Sequence, residues 1–317
     1  MLVKPAFYLT LALVAVTGSA SGQEKARTER MSTVPFRTIE TGGSLRPMIR
    51  ASFNKHPLEM MLHSLARFPG GEIQLRHDHA RNFGVTGLRQ GPKYGIDRPG
   101  HASELGSGFG KIATVTVGGT IDRDVSVSVF EIPQTDMGMI GIDWMRRQRI
   151  IIDFPAHQAT IAPTANYASK AQHRLEVAGY RAIPLTFKDG SYQVRASVNG
   201  VVRDMTIGSA THTMVDTALA TSAGFERGTN TGTGFGPTGT RVAGGNASAP
   251  VVFEIDGWKS PPIVTSVLDI YGYEARERPA DPTQGTGGTL GDTFFIKTDA
   301  VIDFGSGTLY VRDTKKG

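Results

Sequence analysis

The sequence predicts an all-β protein made of two similar lobes in tandem, and three observations carry that prediction. First, the block Gly138 to Ile161 (GMIGIDWMRRQRIIIDFPAHQATI) recurs 150 residues later as Gly288 to Val311 (GTLGDTFFIKTDAVIDFGSGTLYV). Gly138/Gly288, Gly141/Gly291, Ile152/Ile302, Asp153/Asp303 and Phe154/Phe304 are identical, the mark of an internal duplication. Second, 317 residues at 39% hydrophobic content suit two domains, each able to bury a core. Third, 39 glycines are scattered among short Val/Ile/Thr-rich stretches, a pattern of strands joined by turns, and no long stretch carries a clear helical period.

The elements follow in order. Residues 1–22 place Lys4 before an apolar run from Ala6 to Val16 and then small residues, with Ala20 and Gly22 suited to a cleavage site. This pattern predicts a secretory signal and an exported, periplasmic or extracellular protein. The run is too short for the roughly 20 residues that span a bilayer, and no membrane insertion is expected. Residues 23–33 are polar and read as a mobile arm. The first lobe, 34–162, starts at Val34-Pro35-Phe36 and continues through strands at Met48 to Asn54 and Leu58 to Leu62. Phe68 to Gly110 reads as a long loop with a short strand at Glu72 to Leu75. Ile112 to Val117, Gly118-Gly119 and Val125 to Phe130 form a hairpin pattern. Residues 163–181 are polar and read as an irregular linker. The second lobe, 182–317, has strands at Ala182 to Phe187, Tyr192 to Val198, Asp204 to Ile207, Val251 to Ile255, Ile263 to Leu268 and Ala300 to Phe304. Arg227 to Asn246 is Gly/Thr-rich and reads as a flexible loop.

A second matched pair lies upstream of each repeat: Arg50-Ala51-Ser52-Phe53-Asn54 and Arg195-Ala196-Ser197-Val198-Asn199. An apolar run ending in small residues follows each, and a Gly-apolar-apolar-Gly element comes later. That order resembles two tandem retropepsin-like lobes of the aspartic peptidase family. The resemblance implies β-barrel lobes around a cleft, a flap in the Phe68 to Gly110 stretch and another in Arg227 to Asn246. It also implies a catalytic Asp-Thr/Ser-Gly-Ala loop in each lobe. In the first lobe His63 stands at the Asp position, with Ser64 and Leu65 at the two that follow. In the second, the Ala210-Thr211-His212-Thr213 ending places Ile207 at the Asp position, followed by Gly208 and Ser209. Both catalytic aspartates are absent on this alignment. The usual mechanism needs two carboxylates sharing a proton, and Ile can neither accept nor donate one.

Other residues compete for a catalytic or binding role. Asp216, in Met214-Val215-Asp216-Thr217-Ala218, imitates the family triplet but lacks its Gly; the plainer reading is an N-cap for a short helix at Thr217 to Ala223. Pairing it with His63 is the remaining acid/base option, since Glu59 shares a strand face with His63 only at a distance. His77-Asp78-His79 has a His-x-His pattern, but no further ligand cluster accompanies it, so neither metal nor cofactor is expected. Asp143, Asp153 and Asp303 read as turn and strand-end residues. Ser64 and Ser209 lie outside any Gly-x-Ser-x-Gly motif.

Composition narrows the function. The chain lacks Cys, which excludes a small disulfide scaffold. Net charge is +5, yet the basic residues are dispersed without a nucleic-acid-binding motif. The expected function is a pseudopeptidase that binds extended peptide or protein segments between its lobes. The alternatives are an active endopeptidase using Asp216 and a structural protein whose cleft is closed by apolar residues such as Leu65 and Ile207.

Overall fold

In a computed structural model, residues 31–312 are described, apart from 42, 69, 92, 94, 99–100, 133–136, 163, 226, 236–240, 274–276 and 282–283. The expected signal segment therefore lies outside the described residues. The duplicated block folds the same way twice and pairs with itself. Ile150–Asp153 runs antiparallel to Val301–Asp303 with Ile152 directly opposite Ile302, so an approximate two-fold axis passes between these identical residues. Three strands from each half build the sheet around that axis, in the order Ser32–Pro35, Gln158–Ile161, Ile150–Asp153, Val301–Asp303, Thr308–Arg312, Tyr180–Pro184. Ile150 and Ile152 point into the main core while Ile151 points to the opposite face with Val301, Tyr180 and Tyr310. A run of three isoleucines fits a strand covered on both faces.

The cover on that second face is a finding the sequence reading missed. Residues expected to form an irregular linker contain the helix Ala165–Val177, which docks Tyr167, Ala171 and Leu175 onto the sheet. These three recur every fourth residue, one side of a helix. The expected mobile arm is also shorter than predicted, because Ser32 and Thr33 already pair with Ile161 and Thr160.

On either side of this sheet stands a lobe, giving an all-β, bilobed architecture. In the first, Ser44–Phe53 pairs with both His56–Leu62 and Ser107–Val117, which closes the sheet into a barrel. In the second lobe the corresponding gap is spanned by the single antiparallel pair Val251 and Ile263, which exchange backbone bonds of 2.8 and 2.9 Å. The predicted hairpin is present and longer than expected, Ser107–Val117 with Thr120–Phe130, turning at Gly118 in the left-handed region (φ 56°). Both expected loops contain regular elements among their described residues. Phe68 to Gly110 holds Ile73–Leu75, the helix His77–Asn82 and an arm in which Thr86–Gln90 pairs with Ser107–Val117. Arg227 to Asn246 is mostly a second hairpin, Arg227–Phe235 against Arg241–Ala247. One core runs through both lobes, joined where Phe154 stacks on Phe295 at 4.9 Å.

Candidate functional site

Two equivalent loops meet at the two-fold axis, and their hydrogen bonds establish which residues correspond. Each follows a hairpin whose turn Asn adopts positive φ, Asn54 at 46° and Asn199 at 49°. The Asn54 amide donates to the Phe83 carbonyl at 2.8 Å, and the Asn199 amide donates to the Ala223 carbonyl at 2.9 Å. The strands then run parallel to the repeated Gly-apolar-apolar element, with Leu62 opposite Ile140 and Ile207 opposite Leu290. The next N–H repeats one bond: His63 donates to the Ile140 carbonyl at 3.0 Å and Gly208 to the Leu290 carbonyl at 2.9 Å.

At the following position the lobes lock together. The Ser64 N–H donates to Ser209 Oγ (2.9 Å) and the Ser209 N–H donates to Ser64 Oγ (2.8 Å). Each hydroxyl then donates across the axis, Ser64 Oγ to the Ile207 carbonyl (2.6 Å) and Ser209 Oγ to the Leu62 carbonyl (2.7 Å). All four bonds are buried, so every donor and acceptor needs its partner.

This geometry corrects the alignment by one residue. The counterpart of His63 is Gly208, and the family's Asp-Thr/Ser-Gly-Ala pattern falls on His63-Ser64-Leu65-Ala66 and Gly208-Ser209-Ala210-Thr211. Ile207 is fully buried in the core and does not line a cleft. Ser64 and Ser209 act as the clamp between lobes. The sequence held the signal, since His63 lies nine residues after Asn54 and Gly208 nine after Asn199.

Gly208 lacks more than a carboxylate. A Cβ there would stand 2.0 Å from Thr211 Oγ1, 2.6 Å from Thr289 Cγ2 and 3.2 Å from Leu65 Cδ1. Thr211, whose hydroxyl donates to the Gly208 carbonyl at 3.0 Å, occupies the space a side chain would need. Opposite, His63 has a buried Nδ1 without a hydrogen-bond partner. Burial first, and the positive charge of Arg46 second, pull His63 down to about 4, so the ring is neutral near pH 7. The Ser44–Phe53/His56–Leu62 register pairs Met48 with Met61, and its continuation sets Arg46 across from His63. The face they share carries Met48 and Met61, packed with Met137 and with Ala210 of the second loop. Arg46 was not singled out from the sequence. Its Nε is also buried without a partner, and burial lowers its pKa while Tyr273 acts to raise it.

The other candidates have structural partners. Asp216 caps the helix Thr217–Ser222, accepting the Ala218 N–H at 2.9 Å. It is also gripped by Arg278 at 2.6 and 3.0 Å and accepts the Ile270 N–H at 3.2 Å. His77 and His79 belong to the helix His77–Asn82; His77 faces Glu131, and His79 stacks on Phe83 at 5.4 Å. No group of three or more metal-ligating side chains occurs among the described residues. Asp153 accepts the Ala156 N–H and Asp303 those of Gly305 and Ser306, as turn residues do. Asp143 faces Arg67 at 3.9 Å on the surface, and Glu59 is engaged by Arg37.

No family model matches the sequence. A search of curated proteins likewise finds no match. Among solved structures the chain is similar to a retropepsin-like aspartic protease from Rickettsia conorii, at 14% identity and a TM-score of 0.29, over 42% of this chain and 91% of that one.

Proposed function

We propose that this protein is an exported, catalytically inactive relative of the aspartic peptidases that binds extended peptide segments between its lobes. The observation that carries the proposal is the pair of residues at the two-fold-related positions, His63 and Gly208, in place of two carboxylates. An acid/base pair needs two titratable groups; His63 is neutral near pH 7, and Gly208 has neither a side chain nor room for one.

Peptide binding is supported by the sheet edges. Thr86–Gln90 and Arg227–Phe235 each end their sheet, leaving backbone groups free to pair with an added strand. The packing of Leu65, Thr211 and Thr289 around Gly208 favours a second reading, a structural protein whose cleft is filled. Digestion of a broad peptide mixture from acid to neutral pH, read by mass spectrometry beside Asp216→Asn, tests inactivity. Cleavage products that vanish in the variant would overturn the proposal. Retention of mixture peptides on the immobilised protein without cleavage supports it, and no retention favours the filled cleft.

A further inference from the structure

Two arginines of this protein show what a guanidinium with carboxylate partners looks like. Arg147 holds Glu72 and Asp122, and Arg278 holds Asp216 and Asp269, although both arginine side chains are more than a third exposed. Arg46 is less exposed and has no ion pair or hydrogen bond among the described residues. Asp292 accepts the N–H of neighbouring Leu45 and that of Thr293, and it makes no pair with Arg46. Partly desolvating a guanidinium without a counter-ion costs stability, so the position carries an unmet demand for an anion.

His63 lies across the strand pair from Arg46 and shares the deficit, because its ring nitrogens make no hydrogen bond to the described residues. Nε of Arg46 and Nδ1 of His63 are enclosed without a partner, while each residue as a whole is only partly buried. The guanidinium fork suits the two oxygens of a carboxylate.

We propose that Arg46 and His63 form a carboxylate-binding site at the floor of the inter-lobe cleft, filled by the C-terminal carboxylate or an Asp or Glu side chain of a bound peptide. The inference rests on the peptide-binding reading and specifies its ligand. Where the family resemblance places the protein's own carboxylates, the ligand would bring one instead.

The test uses three hexapeptide pools: free C-terminal acids, the same pool amidated, and the amidated pool carrying one Glu. Each is titrated by fluorescence anisotropy against the wild type, Arg46→Met and Arg46→Gln. The free-acid pool, the Glu pool or both should bind at least about ten-fold tighter than the amidated pool, and both variants should lose that preference. Which pool gains identifies the source of the carboxylate. Arg46→Met should also melt no lower than the wild type, since it removes a charge that lacks a partner. Equal binding of all pools to wild type and variants would overturn the site while leaving peptide binding intact. Acetate alone, followed through the His63 ring resonances, separates the remaining case. A response in wild type but not in Arg46→Met, with no pool bound, keeps the anion site and removes the peptide reading; no response to acetate and no pool bound removes both.

Discussion

Replacing Gly208 with Ala tests whether the second-lobe loop is closed to a side chain. The added methyl would meet Thr211 Oγ1 at 2.0 Å and Thr289 Cγ2 at 2.6 Å, far inside contact distance. Forcing an extra carbon into a packed site costs about 1–3 kcal/mol. Rotating Thr211 aside also breaks its 3.0 Å bond to the Gly208 carbonyl, about 1 kcal/mol more. The expected loss is therefore about 2–4 kcal/mol. Thr211→Ala alone should cost about 1 kcal/mol, the value of its hydrogen bond. Combined with Gly208→Ala it should recover part of the loss, and adding Thr289→Ser should recover more. Urea unfolding of the four variants, with slopes compared before midpoints, gives the coupling energy of the cycle. A loss below about 1 kcal/mol for Gly208→Ala, or additive effects of the 208 and 211 changes, would refute the claim that Thr211 fills the side-chain space.

Four further outcomes are expected. Ser64→Ala or Ser209→Ala leaves a buried N–H and a buried carbonyl of the opposite loop without partners, about 2–5 kcal/mol in chemical unfolding, and the double variant should cost less than the sum. His63 is held neutral, its pKa depressed from 6.5 to about 4, so the unfolded chain binds more protons between those values. Its contribution to stability is present above pH 6.5 and is lost as pH falls toward 4, by up to about 3 kcal/mol; His63→Gln should flatten that part of a stability-versus-pH curve. His63→Asp alone should yield no peptidase activity in the digestion assay, because Gly208 supplies no partner. Asp216→Asn should lower stability by about 3 kcal/mol through loss of the Arg278 pair, without changing the digestion pattern.

Part of this molecule is legible in the sequence because packing dictates it locally. The repeated Ile-Asp-Phe elements form the sheet around the two-fold axis, where Ile152 and Ile302 face each other, while the repeated Gly-apolar-apolar elements pair with the strand before each loop, and few alternatives fit either place. The Gly208 position is a one-residue slip. Residue types at Ala210 to Thr213 favour one alignment and the nine-residue spacing from Asn199 favours another, and only the hydrogen-bond pattern decides between them. The second hairpin, Arg227–Phe235 with Arg241–Ala247, is hidden because Gly and Thr have low apolar signal and its pairing is made by backbone. Arg46 is hidden for another reason: it lies eight residues before Asn54 and His63 eight after Lys55, so only the hairpin register brings them together.

The serine clamp and the His63/Gly208 pair follow different physical constraints. Ser64 and Ser209 satisfy four buried backbone groups where two lobes meet, and removing either hydroxyl leaves groups that water cannot reach. His63 and Gly208 carry no such structural obligation; two adjacent carboxylates at these places would repel and require desolvation, so the lobes stay joined without that cost. What replaces them is not neutral filler. A Gly with its space taken by Thr211 would be a stabilising solution, but an unpaired Arg46 beside an unbonded His63 is a destabilising one. Residues that lower stability without a partner in the fold are expected where an external partner completes them. On the reading proposed above, that asymmetry, a closed second loop facing an unsatisfied first one, is what would set a binding cleft apart from an inert remnant.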